Sequence, residues 1–211
     1  HYGTGKTEVS VNLALALAAE GEQVMLADLD IVNPYFRSRE RRPLLEKAGV
    51  RVISSSQACS DADVPALPAE LLTILENREI RGILDIGGDP VGARVLARFQ
   101  PKIVQEDYQL IFVLNANRPE VRDAESAAAY LRSIEAVTGL TCSGLVNNTH
   151  LCGETTPAEI RKGAALAQEV SRQTGIPILC HTAERRFLES LSDLGEPVFP
   201  IAINMKKPWE R

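Results

Sequence analysis

Residues 1–21 read HYGTGKTEVSVNLALALAAEG, and the stretch Gly3-Thr4-Gly5-Lys6-Thr7 within them decides the fold. It matches the end of the phosphate-loop pattern G-x-x-x-x-G-K-[ST], whose glycines let successive backbone N–H groups curl around phosphate. In that pattern Lys6 neutralises β- and γ-oxygens, and the Thr7 hydroxyl is a ligand for Mg²⁺. Val9, Leu13, Leu17 and a run of alanines then continue as a helix that Gly21 ends. Counting back from Gly5, the first glycine of the pattern falls one residue before His1. A strand and that glycine are therefore expected upstream of the numbered chain. Taken alone, the stretch would also suit a flexible helix start, so the rest of the chain has to decide.

Outward from the loop, short apolar strands alternate with longer amphipathic helices. QVMLADLD (23–30) is a buried strand running out into Asp28 and Asp30. Residues 36–49 form a helix that Pro43 breaks or restarts, residues 50–55 a strand and residues 66–77 a helix. RGILDIGGDP (81–90) is a strand entering a glycine-rich turn, followed by a helix at 92–99. YQLIFVLNAN (108–117) is the most apolar strand, and Pro119 opens a long helix that Gly139 closes. Residues 141–149 are a strand, 155–175 a helix and 176–181 the last strand, with a Pro-rich tail packing across the surface. Alternation of this kind means βαβ units: an α/β, three-layer fold with a mainly parallel sheet flanked by helices on both faces. No linker or composition shift divides residues 1–211, so a single domain is expected.

Ligands of parallel sheets bind beyond the carboxyl ends of strands. The acidic turns lie there. In GILDIGG four residues rise to Asp85, the acid expected to hold Mg²⁺ through water, and Gly88 follows with an N–H suited to touch a γ-phosphate. A strand-end acid can instead cap the next helix, but Asp89 before Pro90 is better placed for that. Asp28 and Asp30 alternate along their strand end, so either can orient or deprotonate an attacking water. Arg37, Arg39, Arg41 and Arg42, interleaved with Glu40, read as a solvated helix face rather than a nucleic-acid patch, with Arg37 or Arg39 also able to touch phosphate.

Bulk properties narrow the function. Of 211 residues, 45% are hydrophobic and 24% charged, and the net charge of −5 argues against nucleic acid as the main partner. No apolar run approaches the ~20 residues of a membrane span. The four cysteines (Cys59, Cys142, Cys152 and Cys180) are scattered without a C-x-x-C pair, which fits a reducing, cytoplasmic setting. His150, His181 and Cys152 are too few for a His/Cys metal site.

With these residues placed, the chain resembles the SIMIBI-class, deviant Walker A P-loop ATPases. These are the Min-system and ParA-type partition ATPases and the nitrogenase iron protein, within the CobQ/CobB/MinD/ParA nucleotide-binding superfamily. LADLD is similar to the family's strand ending in D-x-D, LDIGGDPVGARV to its second switch, NANRPEVRDAE to the N-P-E…R-D stretch of the Min branch, and GLVNN to the strand carrying its base-recognising Asn. The resemblance implies ATP and Mg²⁺ as cofactors. It places nucleotide contacts at Gly3, Thr4, Gly5, Lys6, Thr7, Glu8 and Gly88, and the adenine contact at Asn148, with Asn147 as the alternative. It implies Mg²⁺ contacts from Thr7, Asp85 and Asp30, and catalysis by Lys6 and Asp30 with Asp28 as companion. A homodimer is also implied, although the signature lysine five positions before the loop lysine is His1 here.

The segment after Asp85 lacks the iron protein's cysteines, so no iron–sulfur cluster is expected, and the short tail lacks a basic membrane helix. The leading expectation is an ATP hydrolase acting as a nucleotide switch on a protein partner. One alternative is a small-molecule enzyme of the cobyrinate-amidating or dethiobiotin-forming type, with a pocket of Asn33, Tyr35, Arg37 and Arg118. The other is a module that binds nucleotide without turnover. The absence of N-K-x-D favours ATP over GTP.

Overall fold

A computed structural model describes residues 3–30, 38–54 and 70–205. His1, Asn33, Tyr35, Arg37, Cys59 and residues 206–211 lie outside them, as does the start of the helix expected from residue 66. Helix α1 is Lys6–Ala19, strand β1 Gln23–Asp28, α2 Arg42–Lys47, β2 Arg51–Ser54, α3 Glu70–Glu76 and β3 Ile80–Asp85. After these come α4 Pro90–Ala93, α5 Gln100–Ile103, β4 Leu110–Leu114, α6 Ala124–Thr138, β5 Cys142–Asn147, α7 Pro157–Thr174, β6 Ile178–Glu184 and β7 Val198–Ile201. Every strand pair among the described residues is parallel. The strands group as a three-stranded sheet, β2-β1-β3, and a four-stranded sheet, β4-β5-β6-β7. This is the α/β architecture that the alternating pattern predicts.

The chain divides into two compact units, one of residues 7–87 and 204–211, the other of residues 1–6 and 88–203. In the first, the apolar face of α1 (Val11, Ala14) packs with Val24 and Leu26 of β1, Leu45 of α2, and Val50 and Val52. In the second, Phe112 and Leu114 of β4, Leu131 of α6, Leu145 of β5 and Val170 of α7 share one core. Burying such side chains contributes about 1.5–3 kcal/mol each.

Helix ends follow local chemistry. Thr156 caps α7 by accepting from the Glu159 N–H, with Pro157 in the first turn, and Gly175 closes the helix at φ +76°. The helix expected from Pro119 begins later. Pro119–Val121 is a tight 3₁₀ turn, and α6 starts where Asp123 accepts from the Ser126 N–H at 2.8 Å. An Asp side chain satisfying first-turn donors outcompetes a proline that only presets φ. Pro43 opens α2 after a 3₁₀ turn at Ser38–Arg41. The tail is more ordered than its composition suggests, because Val198–Ile201 pairs in parallel with β6. Pro200 is tolerated there since β7 is the outer strand of its sheet. No described helix is long and apolar enough to cross a membrane.

Candidate nucleotide site

The loop glycines take the backbone that only glycine adopts without strain. Gly3 lies at φ +73° and Gly5 at φ +81°, and Lys6 begins α1, whose N-terminal N–H groups present partial positive charge. The loop is tied down from the sheet side by two long-range bonds. Asn148, one residue past β5, donates its amide N–H to the Thr4 carbonyl at 2.8 Å. Arg118, past β4, donates Nε–H to the Gly3 carbonyl at 2.8 Å. A Cβ on Gly5 would fall on the Asn148 amide and come within 3.1 Å of His150 Nε2.

Behind the loop lies a buried polar network. Asn148 is 2% exposed, and its Oδ1 accepts from the Thr182 hydroxyl on β6. Asn147 Oδ1 accepts from the Thr149 N–H at 3.1 Å, and its amide donates to the Ile160 carbonyl at 3.0 Å. The same amide lies 3.1 Å from Nδ1 of the wholly buried His181, whose Nε2 is 3.1 Å from Glu196. An amide donating to Nδ1 puts the ring proton on Nε2, facing the carboxylate. Thr149 Oγ1 accepts from the Ala116 N–H at 3.0 Å, so the ends of β4 and β5 are bonded together. Asn147 therefore joins strands to α7, while Asn148 reaches the loop.

His150 sits on the turn after β5. Its Nδ1 accepts from the Cys152 N–H at 3.3 Å, a turn in which Cys152 takes the left-handed φ of +53°. Burial, and secondarily the Arg118 charge, push the His150 pKa down to about 4, so the imidazole is neutral with its proton on Nε2. Gly88 offers its carbonyl to the Tyr130 hydroxyl at 2.7 Å. Burial first, then Asp89 and Glu120, push that phenol up to about 12. Asp89 caps α4 by accepting from the Gly92 N–H at 2.8 Å, the role its place before Pro90 suggests.

In the other unit, Asp28 and Asp85 end adjacent parallel strands in register and are 3% and 2% exposed. The Leu29 N–H donates to the Asp85 carbonyl at 2.8 Å, and the Arg39 N–H to Asp28 Oδ2 at 3.3 Å. Strand β1 stops at Asp28, so Asp30 lies beyond it. Thr7 and Glu8 occupy the first turn of α1. No cluster of three His, Cys, Asp or Glu side chains suited to a metal exists among the described residues.

The Glu8 side chain is engaged by backbone within its own unit. Its two carboxylate oxygens accept the N–H groups of Asn204 and Met205 at 2.8 and 3.0 Å. Desolvation by burial raises its pKa against these bonds. The carboxylate thus clasps the segment following β7. Glu8→Ala is expected to raise hydrogen exchange at the Asn204 and Met205 amides at least tenfold, while the Val198–Ile201 amides keep their protection. Unchanged exchange at 204–205 would mean the clasp holds nothing.

The family model of the CobQ/CobB/MinD/ParA nucleotide-binding domain matches residues 3–200. The chain belongs to that family, a MinD/ParA-type branch of the P-loop NTPases. No curated protein matches it. Among solved structures it is similar to FtsY from Mycoplasma mycoides, at a TM-score of 0.53 and 16% identity, over 84% of this chain and 55% of that one. The chain thus spans about half the length of that protein. It is also similar to a nucleotide-binding protein from Archaeoglobus fulgidus in complex with ADP. There the TM-score is 0.52 and the identity 19%, over 92% of this chain and 82% of that one. At these identities the two likenesses show the fold alone.

The structure brings Asn148 against the loop at Thr4, a bond the sequence does not announce. Arg118 entered only as a pocket-lining residue of an alternative function, and Thr182 not at all. The arginine beside N-A-N at a strand end was the available signal for the first. A threonine inside a β-strand carries no comparable one.

Proposed function

We propose that this chain is a Mg²⁺-dependent ATP-binding switch that hydrolyses ATP and acts on a protein partner. The observation that carries the reading is the conformation of the loop. Gly3 and Gly5 are left-handed, and the Gly3 and Thr4 carbonyls are engaged from the sheet side. Left-handed glycines in a loop held by its carbonyls give the backbone the form of an anion-binding nest. Family membership and the ADP bound to the Archaeoglobus fulgidus protein support nucleotide as that anion.

In this reading Gly3 to Lys6 cradle the phosphates, and Lys6 neutralises them. Asn148 keeps a second amide proton for the adenine, with Asn147 behind it as support. Thr7, Asp85 and Asp30 would hold Mg²⁺, which supplies charge neutralisation to the phosphates when bound. Asp30 orients and deprotonates the attacking water, and Asp28 steadies that turn. Hydrolysis relaxes the acidic turns and alters the partner-binding surface.

The test is calorimetric titration of ATP and of GTP, with Mg²⁺, into the protein and into Lys6→Ala, followed by phosphate-release assays. Micromolar ATP binding that Lys6→Ala removes is the expected result, with GTP markedly weaker. An intact protein that binds neither nucleotide would overturn the reading.

A further inference from the structure

Arg118 has no counterpart in the loop motif itself, yet it stands against its first described glycine. Its Nε–H bond to the Gly3 carbonyl is the only hydrogen bond of that guanidinium among the described residues, and no described carboxylate pairs with it. Four further N–H groups on the terminal nitrogens therefore lack an acceptor among the described residues. The guanidinium carbon lies 2.7 Å, and Nη2 2.8 Å, from the point a Gly3 Cβ would occupy. The charge is thus laid along the loop rather than projected into water, and glycine at position 3 is what admits it.

Two neighbours sharpen the point. The loop leads into the positive end of α1 at Lys6, so the Arg118 charge adds to a field already positive. His150, close enough to feel that charge, is held neutral, and its buried Nε2 has no hydrogen-bond partner among the described residues. A charged fork without a carboxylate, beside a second unused donor at Gly5, has the chemistry of half an anion site.

We propose that Arg118 is a phosphate-contacting residue: anchored through Nε to the Gly3 carbonyl, it offers its terminal N–H groups to the polyphosphate of a nucleoside di- or triphosphate. His150 Nε2–H, 3.1 Å from the point a Gly5 Cβ would occupy, is an additional neutral donor at the loop. The assignment rests on the nucleotide-binding reading above, and it adds a cation that the loop motif does not supply.

The rival role is a strut that merely positions Gly3, and two substitutions separate the two. Arg118→Gln can still donate one N–H to the Gly3 carbonyl but carries no charge. Arg118→Lys keeps the charge. Titrations of ADP and ATP, with Mg²⁺, would be run on the intact chain, these two variants and Lys6→Ala, each also melted with and without nucleotide. Phosphate contact predicts that Arg118→Gln weakens ADP and ATP binding by about 10- to 100-fold, and that Arg118→Lys recovers most of the loss. It also predicts that the nucleotide-free melting temperature of Arg118→Gln stays level or rises, because an uncompensated charge has gone. If the intact chain binds ATP, Lys6→Ala abolishes binding and Arg118→Gln binds as the parent does, the proposal is overturned while the nucleotide reading survives. Equal losses in the Gln and Lys variants, with matching falls in nucleotide-free melting temperature, would also overturn it in favour of a strut. If the intact chain binds neither nucleotide, both fall together.

Discussion

Gly5→Ala is expected to abolish nucleotide binding, weakening it by at least about a hundredfold, while the chain still folds. Two costs coincide at this position. A Cβ at φ +81° is strained by about 1–2 kcal/mol, and the added carbon would overlap the Asn148 amide that holds the Thr4 carbonyl. Asn148 cannot yield easily, since it is buried and its oxygen is engaged by Thr182. Relief must come from the loop, so the Thr4 anchor breaks and the N–H groups lose their shared direction. Losing a buried hydrogen bond of this kind costs about 1–3 kcal/mol. Together these terms put the fall in stability at roughly 2–5 kcal/mol, or about 4–20 °C in melting temperature for a chain of this size. Calorimetry and thermal melting of the same sample check both halves. An alanine variant that binds ATP within threefold of the parent would show that the Asn148 anchor does not shape the loop.

Much of this architecture could be read from local chemistry, and the residues show where such reading stops. The span of α7 was visible because Thr156, Pro157 and Gly175 each act within a few residues of themselves. Strand β7 was hidden because prolines at 197 and 200 imitate an irregular tail, and only its edge position makes them harmless. The motifs of the candidate site were equally legible, since glycine, lysine and strand-end acids are spaced by the chemistry they serve. What joins them was not. The Asn148–Thr4 bond spans 144 residues and the Arg118–Gly3 bond 115, and no periodicity encodes a contact at that separation. Asn148 was noticed as a possible reader of bases, while its bond to the loop carbonyl needed the fold to bring β5 and residue 4 together. Nor does anything in the sequence announce that the Glu8 carboxylate meets backbone from residues 204 and 205.

Gly163→Ala is the second large expected effect, and its sign runs against helix propensity. At an exposed site within a helix, replacing glycine with alanine stabilises by about 1 kcal/mol. Gly163 is buried near the middle of α7, and its missing side chain is what lets the helix lie against the end of β5. A Cβ there would overlap the Thr149 hydroxyl and the Asn147 carboxamide oxygen. Both oxygens already accept backbone bonds, from Ala116 and Thr149 respectively, so neither can swing aside without orphaning a buried N–H. The helix must therefore move outward, opening the core that Ala167 and Val170 share with Leu145. Overpacking costs of about 1–3 kcal/mol, added to one lost buried bond, outweigh the propensity gain and leave a net loss of roughly 1–5 kcal/mol. The control is Ala165→Gly, on the exposed face of the same helix, which should lose about 1 kcal/mol through propensity alone. Because Asn147 and Thr149 flank Asn148, the Gly163 variant should also weaken ATP binding, whereas the Ala165 variant should not. Denaturant melts of the two variants with ATP titration decide it. A Gly163→Ala protein more stable than its parent would mean the helix has room there, and that α7 does not brace the loop.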